Sequence, residues 1–404
     1  MKKVIFLLLL FALLPCLICA QEYKIKPGVT LTKDNYEKYL PQLEKLIFPA
    51  HLHYVIKGLK NGWITVPIVE KREYHTLNGF VKATLGNAGK YKVGKDNKLI
   101  GPPWRGGLPF PDPKTGAELG WNAYKRQQAE HESFLRGRFF LRDKEDKLER
   151  EFSWYVMGKY WNGRTDIPPI PEIPGNNGEI YVKFAILITK PFDARGFSYI
   201  RIIYEDIYKT DDVFSYIPAI RRVRRMTGSD VTDPVLGSDC IYDDFDSWQQ
   251  KIQTKMSFNM LGKKEFLVPR YISETSFDSL EKSNALFRNN CFQVEWEKRP
   301  LWVLEILTND PDYVYNRRVF YTEVGGTCRI LGEENYDQKG RLWRTFAHVS
   351  EYDPVKFFKG VRAGRYDNRI SRHSSANSHW RIYPFGTPSP EKLFTISGLL
   401  RQAK

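Results

Sequence analysis

Residues 179–207 read EIYVKFAILITKPFDARGFSYIRIIYEDI. Two runs rich in Ile, Val, Tyr and Phe, 179–190 and 197–207, flank Asp193-Ala194-Arg195-Gly196, a turn sequence closed by glycine, so the stretch reads as a β-hairpin. Within the first run Val182, Phe184, Ile186 and Ile188 fall on one face, because side chains alternate along a strand. Working outward, residues 134–142 and 148–161 carry the same composition. Further strands are expected at 251–259, 263–268, 292–297, 301–308, 318–324, 327–331 and 341–349. Residues 292–297 and 301–308 read as a second hairpin, with Trp302, Leu304 and Ile306 sharing a face. Residues 327–336 and 341–349 form a third, turning at Asp337-Gln338-Lys339-Gly340. The Pro/Gly segment 166–178 cannot occupy a central strand.

Helical signals are few. Residues 32–47 read as a short helix with Thr32 as cap and an interruption near Pro41. Residues 76–86 and 117–128 read as two more, and 63–75 as extended chain. Hairpins in succession, without strand–helix alternation, indicate an antiparallel rather than a parallel sheet. The expected fold is therefore mainly β with α (α+β): a large curved antiparallel sheet or half-open β-barrel with helices covering its concave face. Aromatic residues make up 14% of the chain. They suit a pleated, half-buried surface, and serve equally to fill a core or to line an apolar cavity.

The N-terminus reads as an export signal. Lys2 and Lys3 precede an apolar run from Val4 to Leu14, too short for the roughly 20 residues of a spanning helix. Pro15 ends the run and Ala20 supplies a small residue for cleavage. Lipidation at Cys16 or Cys19 is the less favoured alternative, since Pro15 and Ile18 precede them. Removal of residues 1–20 takes two lysines and lowers the net charge from +15 to +13. The expected organisation is a signal peptide at 1–20, a sheet domain at 21–358 and a basic, weakly patterned tail at 359–404. Cys240, Cys291 and Cys328 lie too far apart for a CxxC motif. Export permits one disulfide among them, with three possible pairings.

Catalytic and cofactor signatures are lacking. The chain has no GxSxG, GxxxxGK[ST] or GxGxxG, and His131-Glu132 is not followed by the second His of HExxH. No cofactor is expected. His51 and His53 alternate in a stretch read as extended, with no third ligand spaced to complete a site. Asp239, Asp243, Asp244 and Asp246 form the densest acidic cluster, but lack the glycine and terminal glutamate of an EF-hand. They stand as a weak metal candidate against a turn-capping reading. Positive charge gathers in RRVRR, residues 221–225, and in KGVRAGRYDNRISR, residues 359–372. On a strand, Arg222 and Arg224 would share one face and Arg221, Val223 and Arg225 the other. Export disfavours nucleic acid as their partner and favours lipid head groups or an acidic protein surface.

Three blocks carry a family resemblance. They are GGLPFPDPKTGAELGWNAYKR from Gly106 to Arg126, IPAIRRVRRMTGSDVTDPVLGSDCIYDDFDSW from Ile217 to Trp248, and LWVLEILTNDPDYVYNRRVFYTEVGGTCRILGEENYDQKGRLWR from Leu301 to Arg344. In order and content they resemble an exported, functionally uncharacterised bacterial family grouped with the outer-membrane lipoprotein-sorting proteins. The third block departs from that pattern: a Trp is usual within TEVGGTC and an acidic residue near Thr322. The resemblance covers roughly residues 30–350. It implies a half-open antiparallel barrel with helices across its mouth, enclosing an apolar cavity. It also implies a periplasmic carrier of a lipid or acylated protein, working beside a resistance-nodulation-division-type exporter and an outer-membrane β-barrel, with peripheral membrane contact.

The ligand-binding residues expected on this basis are Phe184, Ile186, Trp302 and Leu304 for acyl chains, and Arg221, Arg222, Arg224 and Arg225 for an anionic head group or partner. The alternatives are an accessory subunit of an envelope complex that binds protein and no lipid, and an envelope hydrolase or transferase built on the cluster from Asp239 to Asp246.

Overall fold

The computed structural model describes residues 23–126, 131–226, 232–248, 251–273, 276, 287–382, 386–387 and 389–402. The expected signal peptide, with Cys16 and Cys19, lies outside them. One antiparallel sheet of thirteen strands dominates. In chain order its strands are β1 (Glu132–Arg142), β2 (Leu148–Tyr160), β3 (Ile180–Lys190), β4 (Ser198–Tyr204), β5 (Asp212–Ile217) and β6 (Arg222–Met226). They continue as β7 (Met256–Pro269), β8 (Trp296–Thr308), β9 (Tyr315–Glu323), β10 (Ile330–Asp337), β11 (Leu342–Asp353), β12 (Phe358–Asn368) and β13 (Ser374–Arg381).

Across the sheet the order is β7 through β13, then β1 through β6. Every strand but four (β1, β6, β7 and β13) thus lies between its sequence neighbours. The sheet is a meander whose first and last strands pair in the middle, Ser374 opposite Arg142 and Arg381 opposite Leu135. The connection from β6 to β7 must then travel from one edge of the sheet to the other. The edges do not pair, so the sheet stays an open half-barrel.

The sheet is strongly curved. Seven neighbouring strands, from β4 to β11 in spatial order, each place a side chain on one cavity. Laid flat at about 4.8 Å spacing they would span roughly 29 Å, so the wall curls around that cavity. The connection after β6 crosses this concave side. Tyr242 stacks on Tyr199 of β4 at 5.1 Å, Phe245 packs on Trp154 of β2, and Trp248 reaches Phe320 of β9.

Helices cover both faces. On the concave side α3 (Asn78–Gly86) and α4 (Gly116–Tyr124) share a core with Leu304, Ile306 and Phe320. Thr115 and Glu118 close a reciprocal capping box on α4. Asn122 clamps the Gly/Pro loop, accepting from the Phe110 amide at 3.0 Å and donating to its carbonyl at 2.7 Å. On the convex side α1 (Leu40–Leu46) and α2 (Pro49–Lys60) pack on Ala347, Val349 and Ala363, and α5 (Ile396–Gln402) follows β13 at the C-terminus.

Several expectations are corrected. Residues 292–297 and 301–308 are not a hairpin. Residues 296–308 form one strand, β8, because Pro300 sits where only β7 pairs with it and its missing N–H disrupts no ladder toward β9. Residues 256–269 likewise form one strand, bulged at Leu261. Of 63–75, Val66–Pro67 pair with Thr30–Leu31 and Ile68 makes a single parallel bridge to Trp296 of β8. His51 and His53 belong to α2, which Pro49 opens at its first turn.

The expected boundary at 358 and tail at 359–404 give way to two strands in the middle of the sheet. Arg365 there is buried and bonds both carboxylate oxygens of Asp367, at 2.7 and 2.5 Å. Period 2 puts the two residues on the same face, and mutual neutralisation lets a basic stretch enter the core. Cys240, Cys291 and Cys328 are buried free thiols in three separate clusters.

Truncation after Asp353 deletes the two strands that join the halves of the sheet. The shortened chain should lose its cooperative thermal transition, followed by near-ultraviolet circular dichroism. A transition matching the full chain would contradict the strand order.

Candidate functional site

The concave face holds two adjoining cavities of opposite character. The first, of about 130 Å³, is mostly apolar. Leu135, Trp154, Val156, Phe184 and Ile186 form its wall, and Tyr242 and Phe245 its cover. Two glycines make room for it. A Cβ on Gly137 would stand 2.1 Å from the Trp154 indole nitrogen, and one on Gly364 would stand 2.6 Å from Asn377 Oδ1 and 2.7 Å from the Phe346 ring. Trp154 can therefore lie across β1, sandwiched between Phe139 and His379. Trp154 Nε1 and Asn377 Oδ1 are buried on this wall without a hydrogen-bond partner among the described residues. At the β4 side Arg201 borders the cavity, neutralised by Asp211 at 2.7 Å, which Lys251 also contacts at 2.8 Å.

The second cavity, of about 260 Å³, continues toward the ends of the strands and is polar. Phe346 and Tyr366, stacked at 3.9 Å, stand between the two. Beside it lies a buried ionic network that fastens the crossing segment to the sheet. Arg318 of β9, 1% exposed, donates to Asp243 at 2.5 Å, to the Ser247 carbonyl at 2.6 Å, to Glu333 at 2.9 Å and to Asn335 at 2.9 Å. The Tyr313 hydroxyl donates to Asp243 as well. Asp244 accepts from Tyr315 at 2.8 Å and from the Ile241 amide at 2.9 Å, and Arg344 donates to that Tyr315 hydroxyl at 2.8 Å. Burial raises the pKa of Asp244, against the pull of Arg344 and Arg318. Burial also pushes the Glu333 carboxyl up to about 8, only partly offset by Arg318.

The expected site residues divide. Phe184 and Ile186 line the apolar cavity. Trp302 and Leu304 share the concave face but lie under α4, packed in its core. The weak metal candidates do not converge: Asp243 and Asp244 are occupied by arginine and tyrosine, while Asp239 accepts from Ser371 at 2.8 Å and lies 3.5 Å from His373. No group of three or more metal-ligating side chains occurs among the described residues. Arg222, Arg224 and Arg225 are exposed on β6, an edge strand, and Arg221 precedes it in a left-handed turn. Arg225 pairs with Asp212, and strand register puts Arg222 and Arg224 on the same face as Tyr199 and Arg201.

Sequence reasoning missed the cavity residues of β11 to β13, among them His348, Tyr366 and Asn377. The available signal was an isolated glycine inside each of two strand-like runs, Gly137 and Gly364, which marks close approach of another group.

Two solved structures share this architecture. The profile of a family described as "Protein of unknown function (DUF1329)" matches residues 30–382. A domain described as an outer membrane lipoprotein-sorting protein, from Vibrio parahaemolyticus, is 19% identical with a TM-score of 0.50, covering 71% of this chain and 98% of that one. A DUF1329 family protein from Desulfovibrio piger is 16% identical with a TM-score of 0.50, covering 70% and 97%. A LolA superfamily protein from Nitrosomonas europaea is 14% identical with a TM-score of 0.42, covering 70% and 98%. No curated protein matches the chain.

The ionic network makes stability depend on pH. Folded Glu333 keeps its proton up to about 8, whereas the unfolded carboxyl releases it near 4.5. The folded state therefore binds more protons over that interval, and stability falls as pH rises through it. Burial lowers His51 and His131 to about 3, which favours the folded state as pH rises, but that gain is complete above the unfolded value of 6.5. Between pH 6.5 and 8 the unfolding free energy should fall by at most about 1.4 kcal/mol per pH unit. Urea titrations across this range should show the slope, and Glu333→Gln should flatten it. Equal slopes in both proteins would refute the assignment.

Proposed function

The chain belongs to the DUF1329 family, and on that premise we propose that it is a non-enzymatic carrier that shields the acyl chain of a lipid or acylated protein in the bacterial periplasm. The apolar cavity under the crossing segment carries this reading. A water-excluding, aromatic-walled hollow in a curved sheet stabilises a hydrocarbon chain by about 0.8 kcal/mol per buried methylene. The signal sequence read at residues 1–20 supports a periplasmic location. The family resemblance supports an exporter of the resistance-nodulation-division type and an outer-membrane β-barrel as the donor and acceptor of the cargo.

Native mass spectrometry of protein gently extracted from the periplasm should reveal an amphiphile bound at one per chain. Ile186→Asp, which sets a charge in the cavity wall, should abolish the adduct while far-ultraviolet circular dichroism stays unchanged. Wild-type protein that emerges bare, under conditions that keep other lipid carriers loaded, would sink the proposal.

A second reading, a protein-binding accessory of an envelope complex, is favoured by one observation. β6 is an open edge with three exposed arginines, and a fourth, Arg221, stands in the turn before it. Replacing Arg221, Arg222, Arg224 and Arg225 by glutamate should abolish co-purification of an envelope complex with lipid-free protein. Undiminished recovery would remove this reading.

A further inference from the structure

The polar cavity adjoins the apolar one and has no task in shielding a hydrocarbon. Along β11 the side chains His348, Phe346 and Arg344 pass from the apolar cavity, through the partition, to the polar cavity. Along β13, His379, Asn377 and Ser375 do the same. Four residues of strand cover about 13 Å, so the two hollows lie end to end along the strands. Neither cavity alone reaches the roughly 300–1,000 Å³ of an ordinary ligand site, whereas the two joined do. Their partition is a pair of side chains, and the Tyr366 hydroxyl donates to the Asp244 carbonyl of the crossing segment at 3.2 Å. The partition is thereby tied to the crossing segment.

We propose that the polar cavity seats the head of a single-chain amphiphile whose chain lies in the apolar cavity, and that it selects heads without net negative charge. The assignment rests on the carrier reading above. The charge argument follows from what lines the cavity. Its guanidinium groups are Arg142 and Arg344, against five carboxyl groups. Of these carboxyls, Asp367 is matched by Arg365, Glu333 by Arg318, and Asp244 by the Tyr315–Arg344 pair. Asp239, 3.5 Å from His373, and Glu149, exposed at the mouth, face no lysine or arginine at ion-pair distance among the described residues; Arg142, which bonds Asn290 and the Asp146 carbonyl, offsets one of them, so with histidine neutral one negative charge is in excess.

An entering carboxylate or phosphate meets this surplus negative charge. A sugar or ammonium head does not. A hydroxyl group also suits a polar atom left over in the wall. Arg344 Nε is buried without a partner among the described residues. A polyol supplies it with an acceptor.

Three decyl probes test this: decyl glucoside, decyltrimethylammonium and decanoate, each below its micellar concentration, by equilibrium dialysis against full-length protein. At low salt the glucoside and the ammonium should bind at least ten-fold more tightly than decanoate. Raising ionic strength from 0.01 M to 0.15 M shortens the Debye length from about 30 to 8 Å and should narrow that gap. Asp239→Lys should narrow it by strengthening decanoate alone. Glu149→Lys, at an exposed side chain, is the second variant should the first fold poorly. Decanoate binding as tightly as the others, or a gap that neither salt nor the variants alter, would overturn the head site and leave the carrier reading standing. Failure of all three probes to bind would overturn the carrier reading and the head site together.

Discussion

The concave face depends on Arg318. A thirteen-strand meander whose ends meet in its middle must carry the chain from one open edge to the other. Here that connection crosses the hollow of the sheet. Such a segment has no strand partners to hold it. Arg318 supplies them, binding Asp243 and the Ser247 carbonyl of the crossing segment and Glu333 and Asn335 of the sheet. Without the guanidinium, Asp243 would be a buried carboxylate with its cation removed, at a cost of several kcal/mol. With it, Tyr242 and Phe245 are held as the cover of the apolar cavity, and the polar cavity acquires its acidic wall. Cover, cavity and network are consequences of one crossing.

Much of the sheet was legible in the sequence, because period-2 alternation is local. The hairpin of β3 and β4 and its turn, and the single face shared by Phe184 and Ile186, follow from neighbours a few residues apart. Periodicity identifies a face, however, and not what covers each part of it. Trp302 and Leu304 share the concave face with Phe184, yet α4 occupies their end of it. The hairpin expected of 292–297 and 301–308 fails for a similar reason: Pro300, between them, would interrupt a strand only where both edges of that strand are paired, and pairing is a long-range fact.

Residues 358–381 were the least legible. Arg365, Asp367, Ser374, Ser375 and Asn377 look like solvent-facing chain, but each is buried in the structure. The clue lay in spacing: Arg365 and Asp367, two apart on a strand, neutralise each other on one face. Composition hides such a pair because it counts charges without their phase. The same holds for the acidic cluster from Asp239 to Asp246. Its carboxylates lie close in sequence but turn to different partners, so density along the chain suggested a common ligand that the fold does not assemble.

The open edges complete the argument. A sheet that does not close leaves a row of unpaired backbone groups at each end, and charged side chains discourage other strands from adding there. Arginines on β6 and the exposed Lys263 and Lys264 on β7 meet that need. Edge protection explains the presence of charge but not its sign, since acidic residues would serve as well. At β6 the register turns Arg222 and Arg224 toward the concave side, whereas Arg225 turns away to Asp212. The β6 rim of the hollow is therefore basic, whereas at β7 Lys263 is offset by the exposed Glu265 on the same face, and the polar cavity inside is lined by an excess of carboxyl groups. On the carrier reading these opposite signs do different work. The arginines at the β6 edge guard it against strand addition, and the carboxyl excess of the polar cavity acts on the head of a bound cargo, so that edge protection and choice of cargo are set by separate charges.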